Sequence, residues 1–552
     1  MISKTISPYK ILIIMPRYNL GNKKNYQYNF PLGLGYISAI LKKEGYAVDC
    51  LNLNHLDGSI TDLVKIELNK KNYDFVGVGN TALEYVVTES IIRAVREHKS
   101  KPKIILGGAI ITTQPAIIFN DLKPDFGIIG EGEETILELL ECLKKEKDLK
   151  KVNGIIYRDK NKKRIITPKR NPPEDLDSLP IPDFEGFGFE EQLKHSYTNT
   201  AYLFNASDFP RVYPILCSRS CPFQCTFCYH EGKYRARSID NIMEELNLMV
   251  KKYKINSLMI YDDCFAIDEK RFKEFCKRIK ELRAQLSWNL IWTPQLTVKG
   301  INDNLMKLLK EAGCEVISYG FESYSPIVLK SMGKPITPEE IDNALRTTLK
   351  YKIGVQANFI FGDIAETKRT AYETLNYWKN NAGGQVSLRF IQPYPGSKIY
   401  QHCLKKGIIK NELNFVKNLG GYGDLVLNMT DKMTDEDIFQ LKKDILTATS
   451  KYCRFAKPIK IKKIGEKVYN LELRCPYCKK EMIYKNCFID NILYYGSFLM
   501  CRNCRKRFFL VTSLKRLVFE HYYKFYNAVK KIRMLQVRFT SILKKIKFKL
   551  LN

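Results

Sequence analysis

The sequence predicts an α/β protein made of two successive βα series: a doubly wound parallel sheet, then a partial (β/α)6 barrel, with a small β-rich ribbon and a basic helical tail behind them. Three observations carry this expectation. Apolar runs of strand length alternate with helical patterns over the first 150 residues, a second such alternation begins near Tyr202, and a proline-punctuated acidic stretch, 171–184, separates the two.

In the first series, Ile11–Met15, Ala47–Leu53, Phe75–Gly79, Ile104–Gly107 and Phe126–Ile129 read as short buried strands, separated by helical patterns such as Gly33–Lys43 and Glu84–Glu97. Such βα repetition implies a parallel sheet covered on both faces, with ligands at the carboxyl ends of its strands. Val152–Pro168 reads as a small β appendage, and Pro172, Pro173, Pro180 and Pro182 mark the linker Asn171–Phe184. In the second series the expected strands are Tyr213–Leu216, Ser257–Tyr261, Ser287–Trp292, Glu315–Gly320, Gly354–Phe361 and Gln385–Gln392. Thr337-Pro338-Glu339-Glu340 has the pattern of a capping box with proline at the first helical position. The expected units are 1–150, a doubly wound domain; 151–200, appendage and linker; 201–400, the barrel; 401–465, a helical accessory region; 466–512, a ribbon; and 513–552, a basic amphipathic tail.

A chain of 552 residues with 45% hydrophobic content can bury several cores. Sixteen cysteines without a signal peptide or a membrane-length apolar run argue for a reducing, cytoplasmic setting. The net charge of +31 fits nucleic acid or an anionic membrane surface, and also plain lysine bias on solvated faces. Its sharpest local excess, Lys515 to Lys549, carries Leu517, Phe519, Tyr522 and Tyr526 at helical spacing, as an interfacial helix or a docked terminal helix would.

The most informative motif is Cys221-x3-Cys225-x2-Cys228, directly after a predicted barrel strand. Three thiolates on one loop can hold three corners of a four-iron cluster and leave the fourth iron open, whereas a structural four-cysteine site is closed. A zinc site or three buried core thiols are the plainer alternatives. Farther on, Cys475-x2-Cys478 and Cys501-x2-Cys504 form two knuckles suited to tetrahedral zinc, with rubredoxin-like iron as the second choice. Tyr494, Tyr495 and Phe508 would supply the flat strands of such a ribbon, and Cys487 is surplus. Cys217 could join Cys221 and Cys225 in a different triad; Cys50, Cys142, Cys264, Cys276, Cys314, Cys403 and Cys453 read as core or surface thiols.

The cysteine spacing, with aromatic Phe227 before the last thiol, resembles the radical S-adenosylmethionine (SAM) enzymes. Each further element that fits this resemblance lies past a predicted strand: Asp262 and Asp263, Glu322 in Gly320-Phe321-Glu322-Ser323, Gly362 and Glu366, and Pro393-Tyr394-Pro395-Gly396-Ser397. The resemblance implies that they surround SAM, the carboxylates serving its amino group or ribose hydroxyls. For Glu322 or Asp263 alone, a cap or an ion-paired carboxylate is the alternative, and for Gly396 a simple turn.

The amino-terminal series resembles the cobalamin-binding domain that precedes many such barrels, through Thr81-Ala82-Leu83 and Gly107-Gly108; a degenerate domain that binds nothing is the alternative. The loop Arg17–Pro31 lacks histidine, and His55-Leu56-Asp57-Gly58 follows the wrong strand, so the expectation is a cobalamin without a protein histidine on cobalt. Together the resemblances imply a [4Fe-4S] cluster, SAM and cobalamin, beside the zinc read from the two knuckles, with a flavodoxin- or ferredoxin-type electron donor and an unknown organic substrate. The implied reaction is reductive SAM cleavage followed by methylation or rearrangement of an unactivated carbon. The alternatives are a methylthiotransferase-type nucleic-acid-modifying enzyme, which would need more cysteines than Cys50 and Cys142 ahead of the barrel, and a non-catalytic cobalamin- or zinc-bearing nucleic-acid-binding protein. The tail leaves a peripheral membrane or nucleic-acid contact as a further expectation.

Overall fold

Consecutive buried apolar residues, as in Ile11–Met15, suit a strand covered on both faces. The computed structural model, which describes residues 9–18, 21–196, 206–419, 426–489 and 498–510, places this segment near the centre of a seven-stranded sheet. Its strands are β1 (Lys10–Met15), β2 (Ala47–Asn52), β3 (Phe75–Gly79), β4 (Lys103–Gly107), β5 (Phe126–Ile128), β6 (Ile155–Arg158) and β7 (Arg164–Ile166), in the order β2-β1-β3-β4-β5-β6-β7. The first five are parallel, and the chain reverses its winding between β1 and β3, where such sheets bind ligands. The hairpin β6–β7 is not a separate appendage: it pairs antiparallel with β5 and covers an edge that would otherwise expose unpaired amides and carbonyls.

The proline-rich stretch is a packed joint. Asp183 accepts hydrogen bonds from Ser38 and Lys42, both at 2.6 Å. Just beyond, Phe184, Phe187 and Phe189 are fully buried; Phe184 lies 4.6 Å from Phe30 of the first domain and 4.9 Å from Tyr213 of the second, ring centre to ring centre. One apolar core therefore runs through both halves of the chain.

The second half holds β8 (Val212–Ile215), β9 (Ser218–Arg219), β10 (Arg235–Ala236), β11 (Ser257–Ile260), β12 (Ile291–Thr293), β13 (Gln295–Leu296), β14 (Val316–Glu322), β15 (Gly354–Phe361) and β16 (Ser387–Phe390). Parallel pairing gives β8-β11-β12 and β13-β14-β15-β16, with β12 and β13 successive pieces of one strand position split at Pro294, which has no amide hydrogen for the ladder. Six strand positions result. The strand expected over Ser287–Trp292 begins only at Ile291, because Trp288 turns back to donate its indole N–H to the Ile255 carbonyl at 2.7 Å. The capping box at Thr337 forms as its sequence specifies, opening helix Pro338–Lys350.

Beyond the barrel, helices Lys398–Lys405 and Glu412–Asn418 return to the first domain: Tyr400, Phe415 and Val416 share a core with Tyr85, Ile110 and Ile118, and Lys417 pairs with Asp121 at 2.9 Å. Helix Asp435–Tyr452 lies along helix Lys368–Tyr377, tied by Lys368–Asp437 at 2.7 Å. The carboxy-terminal ribbon has two small sheets, one of β17 (Phe455–Ala456), β22 (Arg507–Leu510) and β21 (Phe498–Met500), the other of β18 (Pro458–Gly465), β19 (Val468–Arg474) and β20 (Glu481–Phe488). It docks on residues that lead into barrel strands: Arg505 on Glu315 at 2.7 Å, Arg502 on Asp208 at 2.6 Å, and buried Arg507 on the Gly384 carbonyl at 2.9 Å. It thus closes the amino-terminal end of the barrel, opposite the cysteine loop. Tyr202, Tyr494, Tyr495 and the basic tail lie outside the described residues. Among the described residues no helix is long and apolar enough to cross a membrane.

Candidate active site

The cysteine loop emerges from the carboxyl end of β8 and is braced at every side. Asp262, fully buried at the end of β11, accepts from the Cys217 amide at 2.7 Å and from the Ser218 hydroxyl; burial pushes its carboxyl up to about 6. At the loop's centre the Thr226 amide donates to the Met332 carbonyl at 2.9 Å, and the Ile399 amide donates to the Thr226 carbonyl at 3.0 Å. Gly333, at φ +66°, lies so close that a β-carbon would stand 3.0 Å from the Gln224 carbonyl oxygen. His230 spans the loop, one ring nitrogen 2.8 Å from the Phe223 carbonyl and the other 3.2 Å from the Ser220 hydroxyl. Phe227 packs on the core that contains Met332 and Ile399, so it anchors the loop.

Cys221 and Cys225 are half-buried and Cys228 is exposed. A hydrogen bond from Cys228 brings the Cys225 thiol down to about 7, and Lys334 adds to the effect. Cys225 and Cys228 are in hydrogen-bond contact, but the three sulfurs together are not gathered as ligands of a single ion would be. Lys334, which the sequence reading missed, pairs with Glu322 at 3.0 Å. Burial works against its ammonium, but Glu322 and Cys225 more than offset this and hold its pKa above the ordinary lysine value. Glu322 occupies a β-bulge at φ +61°, and a β-carbon at Gly320 would collide with both partners of the ion pair.

The other strand-end residues divide. Asp263 faces a cavity beside the loop and burial raises its pKa, whereas Asp262 is consumed in bracing β8. Glu366 accepts the Gly362 amide, and burial pushes its carboxyl up to about 8; it serves as a backbone cap at the end of β15. Gly396 is more than a turn: a β-carbon there would lie 2.6 Å from the Tyr229 ring and 2.9 Å from the side chain of Thr113 of the first domain.

The cavity, about 570 Å³, is lined by Asn80 and Thr81 after β3, Gly107 and Gly108 after β4, and Ser220 and Asp263 of the barrel. Gly108 has φ +82°, and a β-carbon on it would lie 2.6 Å from the Asn80 carbonyl oxygen; a β-carbon on Gly107 would meet open space. The buried Asn80 Nδ2 has no partner, an orphaned donor that suits a polar ligand tail. Thr81 caps the turn Ala82–Glu84, and Leu83 is 43% exposed and outside the lining. Among the described lining residues there is no histidine. His55 is instead tied to the Tyr28 hydroxyl at 2.9 Å, and burial brings it down to about 4.

At the far end, Cys475, Cys478, Cys501 and Cys504 place all four sulfurs within 4.8 Å of one another. Amides of Tyr477 and Cys478 point at the Cys475 sulfur and that of Cys504 at Cys501, the knuckle arrangement that favours thiolates. Hydrogen bonds from Cys501 and Cys504 bring Cys475 down to about 3. Cys487 is buried in the ribbon core, apart from this set.

The comparisons find a known domain in each of the two halves of the chain that meet at this cavity. Residues 215–377 match the Radical SAM superfamily, and residues 22–140 match the B12 binding domain. The chain is a radical SAM enzyme that carries a B12-binding domain. Its relatives include methyltransferases and cyclases, and also a putative methylthiotransferase of Methanocaldococcus jannaschii, 23% identical over 382 residues. An uncharacterized methyltransferase of Pyrococcus horikoshii is 27% identical over 406 residues, 72% of this chain and 84% of the relative. The cytidylyl-2-hydroxyethylphosphonate methyltransferase of Streptomyces wedmorensis is 24% identical over 482 residues, 78% of this chain and 88% of the relative. In fold the chain is similar to the radical SAM methyltransferase TsrM of Kitasatospora setae, with TM-score 0.58 and 16% identity over 73% of this chain and 77% of that one. It is similar also to the cobalamin-dependent radical enzyme OxsB, with TM-score 0.53 and 19% identity over 74% and 56%. The domain pair implies a [4Fe-4S] cluster, SAM and cobalamin.

Proposed function

We propose that this enzyme methylates a carbon of an organic substrate at the barrel mouth, with the cluster on Cys221, Cys225 and Cys228 and the corrinoid in the cavity above them. One observation carries the reading: strand ends of the B12-binding domain and residues of the cysteine loop line the same cavity. Bound there, the cluster and SAM would supply hydrogen abstraction and cobalamin a methyl group. The chain's own residues do the rest. Lys334 offers a cation beside the thiols and Glu322 orients it, a pair suited to the amino-acid end of SAM. Asp263 presents a carboxylate to the cavity; Asp262, Gly362, Glu366 and Phe227 hold the loop and strand ends still. Gly107 and Gly108 leave room for a bulky nucleotide tail, and Asn80 offers it a donor, while Thr81 fixes the turn.

We further assign structural zinc to Cys475, Cys478, Cys501 and Cys504, a low-potential flavodoxin- or ferredoxin-type protein as electron donor, and the cytoplasm as the setting; sixteen cysteines with no disulfide among them suit a reducing compartment. The test is anaerobic reconstitution: the reduced cluster should give an EPR signal that SAM perturbs, and Cys225→Ala should abolish it. Protein expressed with cobalamin should carry corrinoid absorbance; a product that shows iron-sulfur absorbance and no corrinoid bands would remove cobalamin from the proposal.

A further inference from the structure

The neck of the cysteine loop is closed from the other domain. β9 and β10 form a two-residue antiparallel ladder that sets Arg219 directly opposite Arg235, and the segment between them carries all three loop cysteines. Two guanidinium groups on opposed positions repel. The neighbouring bonds of the neck, Ser220 to the Gly232 carbonyl at 3.1 Å and the Arg237 amide to the Cys217 carbonyl at 3.0 Å, do not remove that cost because they carry no charge. Against them lie Glu131 and Glu133, which flank Gly132 after β5. Arg219 donates to Glu131 at 2.7 Å and to Glu133 at 2.6 Å; Arg235 also binds Glu131, and donates to the Pro173 carbonyl at 2.7 Å. None of the four side chains is more than 14% exposed, so the charges are largely removed from solvent screening. Glu131 is the one carboxylate bound to both arginines, and it lines the cavity together with Arg219.

We propose that Glu131 is a positioning residue for the iron site: a carboxylate of the B12-binding domain that neutralises the opposed arginines and keeps the neck of the cluster loop shut. The inference rests on the cluster being held by Cys221, Cys225 and Cys228. Because Glu131 and Arg219 also wall the cavity, a corrinoid that fills it restrains the same residues, and the two sites are then coupled reciprocally.

The test is the rate at which the reconstituted full-length protein gives up iron to a ferrous chelator, with and without hydroxocobalamin. Glu131→Gln should release iron roughly tenfold faster, the effect of losing one charged hydrogen bond, with the initial iron content unchanged. Glu131→Asp should fall between, and removal of Arg235 in the Glu131→Gln background (Arg235→Met) should restore slow release by ending the repulsion. Hydroxocobalamin should slow release from the wild type and not from Glu131→Gln. Lys169→Ala, which breaks an ion pair to Glu231 at the loop's outer edge, should leave the rate alone. Release from Glu131→Gln at the wild-type rate, or equal acceleration by a remote variant of matched thermal stability such as Thr337→Ala, would overturn the proposal. If Glu131→Gln takes up no iron, the double variant decides: recovery of iron content supports the clamp and continued failure rejects it. A wild type that takes up no iron would instead sink the cluster assignment.

Discussion

At the residue scale, Gly108 shows how a backbone position can define a ligand site. Its positive φ and the 2.6 Å approach to Asn80 leave no room for a side chain. Gly108→Ala should therefore cost about 1–3 kcal/mol of stability, measured by denaturant unfolding, and should abolish corrinoid binding while leaving iron content intact. Glu366 supports a pH prediction. Its buried carboxyl titrates at about 8 in the folded chain against 4.5 for an ordinary glutamate, so the folded state binds the extra proton between those values. Stability is then present at low pH and falls as pH rises through that window. Glu366→Gln should match the wild-type melting temperature at pH 5 and exceed it at pH 8; parallel curves would refute the assignment. The cysteine triad, the paired knuckles and the glycines were legible in the sequence because their spacing is local. Lys334, Glu131 and Arg219 were not, since each acquires its role from a partner on another element. Gly130-Glu131-Gly132-Glu133 after a predicted strand was the one available signal.

At the element scale, strands and caps follow local rules. The period-2 and continuous apolar runs found five strands of the first domain within a residue at each end, and Thr337 capped its helix with Glu340 as its pattern requires. Thr337→Ala should cost about 1 kcal/mol in urea unfolding without altering iron content or the SAM-perturbed signal, because the cap lies on the barrel's outer layer. What local pattern did not give was pairing. Nothing in Ile155–Ile166 says that the hairpin extends the first sheet, since an edge strand is recruited by the unpaired groups of its neighbour. Likewise Asp262 resembles a ligand from its place at a strand end, yet its oxygens are taken by Cys217 and Ser218, forty-odd positions away.

At the scale of the whole molecule, the barrel has one working end and one closed end. The ribbon sits under the closed end through Arg505, Arg502 and Arg507, where the zinc proposed for it would affect stability but not the chemistry. Cys478→Ser should lose the zinc and lower the melting temperature, and the SAM-perturbed EPR signal should persist; loss of that signal would place the ribbon in the active site. The amino-acid sequence by itself determined the two βα series, the three-cysteine loop, the glycine cradle and the four-cysteine knuckles, because apolar period, thiol spacing and freedom at φ are properties of a few neighbouring residues. Only the tertiary structure decided that strand ends of the first domain and Ser220 and Asp263 of the barrel line one cavity, that Glu131 reaches across to the neck of the cysteine loop, and that the ribbon lies at the opposite end. Those facts depend on long-range burial and charge pairing, which no stretch of chain encodes alone.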